Sequence, residues 1–296
     1  MPLSLTYANA AQAQRPVISF EFFPPKSPEA EQQLRETINT LAPLKPDFVS
    51  ITYGAGGTTR DRTIELTHQI QHETGIETVS HLTCVGHSRD ELAGILQRLR
   101  QAGVRNILAL RGDPPKGEGK FTPHPQGLAH SCELVEMVLS AGGFDVAVAG
   151  YPEGHLEAQS KHADVQYLKR KIDSGAHGVI TQLFFNNAHY FGFVAWARSI
   201  GVPAHIPIIP GIMPVTNVKQ IKRFTNMCGS SLPGDLLARL EEVQEDDAAV
   251  ARVGIEHAKA QCRELIEHGA PGIHFYTLNR STATREIFES LGLPRA

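Results

Sequence analysis

Ile18-Ser19-Phe20-Glu21-Phe22-Phe23-Pro24-Pro25 is an apolar run that carries one carboxylate and ends at two prolines. Read as a strand, its period of two puts Ser19, Glu21 and Phe23 on one face and Ile18, Phe20 and Phe22 on the other. Glu21 then lies near the C-terminal end of a first strand, among aromatic residues. Desolvation there is expected to raise its pKa, so that it keeps a proton near neutral pH and hands it over. The same glutamate also reads as a polar group at a strand mouth that pairs with an arginine or caps a helix.

Working outward, the chain repeats one unit. Strand signals follow at 48–53, 78–84, 106–111, 145–151, 178–185, 206–212 and 272–278. Helical patterns alternate with them at 28–41, 58–74, 89–102, 128–139, 156–174, 190–199, 215–227 and 248–268, and a last short one covers 283–291. Eight strands alternating with helices predict parallel strands joined by crossover helices, and eight is the count that closes a (β/α)8 barrel of the TIM type. A doubly wound open sheet is the alternative, but it calls for a glycine fingerprint after strand one, where two prolines stand instead. Between 225 and 247, Pro233, Gly234 and the acidic run 241–247 predict an extra solvated segment before the eighth strand. Residues 1–16 read as a flexible N-terminal segment and 17–296 as the barrel.

The 296 residues are 41% hydrophobic and 20% charged, with a net charge of −3 and no cluster of Lys and Arg, which excludes a nucleic-acid surface or an anionic-membrane binder. Cys84, Cys132, Cys228 and Cys262 are widely spaced, so a reducing, cytoplasmic home is expected and a thiolate metal site is not. None of the 14 histidines falls in a metal-ligand spacing. Residues 1–15 lack the pattern of a signal peptide, and no stretch reaches the roughly 18 apolar residues of a membrane span.

In such a barrel the site lies at the C-terminal mouths of the strands. The residues delivered there are Glu21, Thr52, Tyr53, His81, Thr83, Arg111, Asp113, Tyr151, Gln182, Tyr276, Asn279 and Arg280. Plain alternatives stand beside them: Arg111-Gly112-Asp113 as a turn with a local ion pair, His81 as a buried histidine bonded to backbone. Asp164, Arg170 and Lys171 equally read as a solvated helix face, and Phe224 as core. Gly54-Ala55-Gly56-Gly57 could let backbone approach a ligand, but it lacks the spacing of a nucleotide-binding loop.

The blocks Ser19-Phe20-Glu21-Phe22-Phe23-Pro24-Pro25, Thr52-Tyr53-Gly54-Ala55, His81-Leu82-Thr83-Cys84, Leu110-Arg111-Gly112-Asp113, Tyr151-Pro152-Glu153-Gly154-His155, Ile180-Thr181-Gln182-Leu183-Phe184-Phe185, Ile209-Pro210-Gly211-Ile212-Met213-Pro214 and His274-Phe275-Tyr276-Thr277-Leu278-Asn279-Arg280 occur in this order. Together they resemble the bacterial methylenetetrahydrofolate reductase family over nearly the whole chain. The resemblance implies a flavoprotein in which FAD takes hydride from NADH or NADPH and passes it to 5,10-methylenetetrahydrofolate in the same pocket. It implies that Thr52, Tyr53, Ala55, His81, Arg111, Gly112, Asp113, Tyr151, His155, Ala158, Asp164, Arg170 and Lys171 surround FAD. His130 and Ser131 fall beside the adenosine end, where bacterial relatives carry a Tyr-Ala pair. Gln182, Gln220, Phe224 and Arg280 would hold folate, with Gln182 and Phe224 also meeting the nicotinamide.

On the same basis Glu21 and Asp113 are the catalytic pair, the first as general acid toward folate and the second as a charge beside the flavin. No metal is implied, and a homo-oligomer, often a tetramer, is. Side by side in sequence, Arg170 and Lys171 suit a pyrophosphate, Asp164 a ribose hydroxyl and Arg280 the glutamate of folate. Two other classes compete: a pterin-binding one-carbon transferase without flavin, and a barrel used only for assembly.

Overall fold

Each strand pairs in parallel with the next in sequence and the last returns to the first, so the sheet has no edge. The computed structural model describes residues 1–53, 57–114 and 121–293. Its strands are β1 Val17–Phe22, β2 Phe48–Ile51, β3 Thr78–Thr83, β4 Asn106–Leu110, β5 Asp145–Gly150, β6 Gly178–Leu183, β7 Ile208–Ile212 and β8 Gly272–Tyr276. The helices are α1 Leu3–Gln12, α2 Pro28–Leu41, α3 Gly57–Thr74, α4 Arg89–Gln101, α5 Ser131–Ala141, α6 Lys161–Asp173, α7 Asn187–Ser199, α8 Val218–Cys228, α9 Gly234–Glu242, α10 Asp247–Glu267 and α11 Thr282–Ser290. The fold is the (β/α)8 barrel expected from the alternation of strand and helix signals.

Local chemistry sets the helix starts. Ser27 Oγ accepts from the Ala30 amide at 3.2 Å, with Pro28 at the first helical position of α2. Ser88 and Glu91 cap α4 reciprocally. The helix expected from residue 156 begins only at Lys161, because Ser160 accepts from the Ala163 amide and leaves 151–160 as a loop over the barrel mouth.

Alternation divides the apolar residues into two layers. Phe20, Phe22, Ile51, Leu82, Ile107, Val146 and Phe275 point outward and pack beneath the helices. Val17, Phe48, Val79, Leu108, Ala147, Ile180 and Ile209 point inward and fill the lower barrel.

That lower layer is completed by the N-terminal segment, expected to be flexible and found helical. Residues 3–12 form α1, which buries Leu3, Tyr7 and Ala10 against the inward layer and closes the N-terminal end of the barrel. Its first free amides are satisfied across the opening: Leu3 N–H donates to Asn106 Oδ1 at 2.8 Å and Ser4 N–H to Asp145 Oδ2 at 2.7 Å. A Cβ on Gly178 would stand 2.6 Å from the Tyr7 ring, so β6 needs glycine where the plug enters.

A second difference lies before β8. The extra segment expected to be solvated contains α9, whose Leu236 and Leu240 are fully buried against Met213, Val218, Ile221 and Val250. The acidic residues that follow it are exposed. Among the described residues, no helix is long and apolar enough to cross a membrane.

Candidate active site

Glu21 stands inside the C-terminal half of the barrel, in register with Ser50 on β2 and Tyr276 on β8. Its Oε2 lies 3.4 Å from His81 Nε2, 3.4 Å from His274 Nε2 and 3.5 Å from Ser50 Oγ. His274, fully buried one level below, is fixed from its other side by Ser19 Oγ at 2.7 Å from Nδ1. The Thr277 hydroxyl donates to the Glu21 carbonyl at 2.6 Å, and the Tyr276 hydroxyl to the Thr181 carbonyl at 2.6 Å. The carboxylate thus lies between two imidazoles and a hydroxyl from three different strands, hydrogen-bonded to His274 and Ser50, while His81 Nε2 makes no hydrogen bond among the described residues.

These surroundings correct one expectation. The aromatic residues next to Glu21 in sequence do not surround it, because alternation sends Phe20 and Phe22 outward, where Phe20 packs on Phe275 and Phe288. Phe23 is exposed. Burial pushes the Glu21 pKa up, but the hydrogen bond from His274, the charges of His81 and His274 and the Ser50 hydroxyl outweigh it, and Glu21 is held below the ordinary carboxylate range. Burial pulls His81 the other way, down to about 4, with Glu21 opposing and His274 assisting. These directions favour the carboxylate form of Glu21 and the neutral imidazole of His81, so at neutral pH the hydrogen bonds from His274 and Ser50, not a charge on His81, hold Glu21.

A second cluster lines the mouth above β4, β5 and α6. The turn after β4 needs Gly112, which has φ +90° and would drive a Cβ to 2.4 Å from Val85 Cγ1. Arg111, just before it, bonds Glu157 Oε2 through Nη1 at 2.6 Å, and its guanidinium lies 4.5 Å from the Phe121 ring centre. Its Nη2 is buried and has no partner among the described residues. Tyr151 packs edge-on against His155 at 4.7 Å. Lys171 is buried, donates to the Ala149 carbonyl at 2.5 Å and is pulled down to about 8 by desolvation, with Asp164 opposing. Burial raises Asp164, against Lys171 and His155.

The remaining candidates separate. Arg170 does not join Lys171: neighbours on a helix point about 100° apart, and Arg170 is exposed, its guanidinium 5.1 Å from the Tyr167 ring centre. The His130 ring packs tilted against the same tyrosine at 5.8 Å, and Ser131 is the first residue of α5. Asp113 is exposed at the rim. Ala158 closes a turn on the His155 carbonyl. Thr52 and Tyr53 follow β2, with the Tyr53 hydroxyl 3.1 Å from His87 Nε2. Ala55 lies outside the described residues. Gln182 at the end of β6 accepts from the Leu183 amide at 2.9 Å, Phe224 packs half-buried on α8, and Gln220 and Arg280 line one groove beside the mouth.

Sequence reasoning missed His274, Ser19, Ser50 and Glu157. His274 and Tyr276 share parity on β8, so the alternation that singled out Tyr276 also reaches His274. Among the described residues, no group of three or more His, Cys, Asp or Glu side chains is placed to hold a metal ion.

A family model described as methylenetetrahydrofolate reductase matches residues 6–292. The chain is 42% identical over 277 residues to 5,10-methylenetetrahydrofolate reductase of Escherichia coli strain K12, covering 93% of this chain and 90% of that protein. It is 40% identical over 286 residues to methylenetetrahydrofolate reductase (NADH) 1 of Arabidopsis thaliana, covering 93% of this chain and 48% of the plant protein. The chain thus spans about half the length of the plant relatives it matches. An uncharacterized protein from Clostridium thermocellum, described as binding two copies of 5-methyl-5,6,7,8-tetrahydrofolic acid, superposes with a TM-score of 0.68 at 16% identity over 96% of this chain and 97% of that one. That likeness is one of fold.

Proposed function

Because the chain belongs to the methylenetetrahydrofolate reductase family, we propose that it reduces 5,10-methylenetetrahydrofolate to 5-methyltetrahydrofolate, with FAD as cofactor and NADH or NADPH as electron source. The observation that carries this reading is the largely buried Glu21, hydrogen-bonded by His274 and Ser50 and facing His81 at the floor of a mouth lined by residues suited to a dinucleotide.

The cofactor fits the residues present. Among the described residues, Arg111 keeps a buried guanidinium nitrogen without a partner, a donor suited to an anionic or carbonyl oxygen. Lys171 and Asp164 are buried groups of opposite charge on one helix, the lysine suited to phosphate and the carboxylate to ribose hydroxyls. Tyr151, His155, Thr52, Tyr53, Gly112 and Ala158 complete the cradle, and His130, Ser131 and Arg170 fall to the adenosine end. When bound, FAD supplies the hydride transfer chemistry.

The chain's own residues supply the rest. Gln182, Gln220, Phe224 and Arg280 orient folate, Arg280 through a carboxylate of its glutamate. Asp113 places a negative charge at the rim, which opposes build-up of further negative charge on the cofactor. The one-carbon bridge of the substrate opens only if N10 leaves with a proton, and this reading assigns that donation to Glu21.

Held below the ordinary carboxylate range, Glu21 must first gain that proton. Its side chain is still 17% exposed, and a folate that covers the mouth removes this remaining solvent and strengthens the burial that already pushes its pKa upward. Ser19 fixes the His274 ring, and His274 and Ser50 hold the carboxyl group in place. A homo-oligomer in the cytoplasm belongs to the same reading. The test is direct: the purified protein is expected to be yellow, to release FAD on denaturation, to bleach anaerobically with NADH or NADPH and to recolour with methylenetetrahydrofolate. A colourless protein that takes up no FAD would contradict it.

A further inference from the structure

One ion pair joins the turn after β4 to the loop between β5 and α6: Arg111 Nη1 donates to Glu157 Oε2 at 2.6 Å. A lone pair of this kind at a surface contributes little. Here, however, both partners sit on fixed backbone. Gly112, next to Arg111, turns the chain at φ +90°. Residues 155–158 close a turn in which the Ala158 amide donates to the His155 carbonyl at 2.9 Å and the Glu157 amide to His155 Nδ1 at 3.1 Å. Earlier in the loop, the Glu153 carboxylate accepts from the Ser231 amide at 3.1 Å and from the Ser231 hydroxyl at 2.5 Å, and beyond the turn Ser160 caps α6. Glu157 thus lies between two anchored points. The bond from Arg111 holds its carboxyl below the ordinary carboxylate range, so Glu157 is charged at neutral pH.

Arginine offers five N–H donors in a rigid fork. In Arg111, Nε donates to the Gly112 carbonyl at 3.2 Å, Nη1 donates to Glu157, and the flat face lies 4.5 Å from the Phe121 ring centre. Nη2 is buried without a partner among the described residues. Glu157 supplies the charge-assisted bond of this set, about twice as strong as a neutral one, and it takes a different nitrogen from the one left open. A bond to Glu157 and a bond to a ligand can therefore coexist on one guanidinium.

A long side chain that is ordered before its ligand arrives loses less entropy on binding. We propose that Glu157 is a positioning residue for the cofactor: it fastens the loop after β5 to Arg111, and so sets the open edge of the guanidinium and the His155–Ala158 turn for FAD in advance. It acts through Arg111 and through its own turn, with no step in the chemistry. The proposal rests on the flavin reading above, and adds a residue that is not among the FAD contacts the family resemblance implies.

Titration of the apoprotein with FAD, followed by flavin fluorescence, reads the affinity without turnover. Glu157→Ala is expected to weaken FAD binding about two- to tenfold. Glu157→Gln keeps an oxygen that accepts from Nη1 and should recover about half of that loss on a logarithmic scale. Urea denaturation of both variant apoproteins should give midpoints close to the parent's, because a half-exposed pair adds little to global stability. Unchanged FAD affinity in Glu157→Ala would overturn the assignment, and so would tighter binding, which would make Glu157 a competitor for Arg111. Equal losses in the two variants, or a fall in the apoprotein midpoint that accounts for the loss, would overturn it as well. A parent protein that takes up no FAD would overturn the flavin reading and the assignment with it, whereas a parent that binds FAD no better than Glu157→Ala overturns the assignment alone.

Discussion

Glu21 shows how a residue's address in the fold changes its chemistry. The period of two told correctly that it faces the barrel interior with Ser19, but its protonation is decided by His274 and Ser50, which come from β8 and β2. His274 is 253 residues away in sequence, and no local pattern reports that proximity. If folate binding converts Glu21 from carboxylate to acid, binding of 5-methyltetrahydrofolate at pH 7 should take up about one proton. Calorimetry in buffers of different ionisation enthalpy measures it; Glu21→Gln should take up none, and zero uptake by the parent protein would contradict the account.

His81 gives a second signature. Its pKa falls from 6.5 to about 4 on folding, so between those values the unfolded chain binds more protons and stability rises with pH. The displacement corresponds to about 3 kcal/mol, lost as pH falls from 6.5 toward 4. Urea denaturation of the parent and of His81→Asn across that window should show the slope reduced in the variant.

At the scale of elements, the helices and strands were legible where a local signal and the tertiary packing agreed. The patterns at 28–41 and 89–102 marked α2 and α4, and the local caps found there, Ser27 with Pro28 and Ser88 with Glu91, agree with them. The start of α6 was not legible, since Leu156 to Ser160 carries helical composition but Ser160 takes the cap. Nor was α1, although Leu3, Tyr7 and Ala10 follow the i, i+4, i+7 spacing of an amphipathic face; the stretch is short, and only the open barrel end gives that face something to cover. Leu3 is fully buried there. Leu3→Ala is expected to cost about 2–5 kcal/mol, and chemical denaturation is the check. A cost near zero would mean that α1 does not plug the barrel.

For the whole molecule, alternation of strand and helix signals was enough to reach the closed barrel, and the barrel was enough to collect Glu21, His81, Arg111, Tyr151 and Gln182 at one mouth. It was not enough to place side chains on helices around that mouth. Arg170 and Lys171, adjacent in sequence, diverge to solvent and to the Ala149 carbonyl, while Lys219 and Arg223, four apart, share one groove. Which helical residues reach a site depends on how each helix is rotated against the barrel, and that is set by packing with distant elements.

The central claim is that one mouth carries out two transfers and that Glu21 serves only the second. Anaerobic stopped-flow spectroscopy of Glu21→Gln separates them. The variant should hold FAD and be reduced by NADH or NADPH at a rate within about an order of magnitude of the parent protein, yet its reoxidation by methylenetetrahydrofolate should slow by at least about 10²-fold, the usual contribution of a positioned acid. Rapid folate reduction by the reduced variant, or loss of both transfers together, would contradict the account.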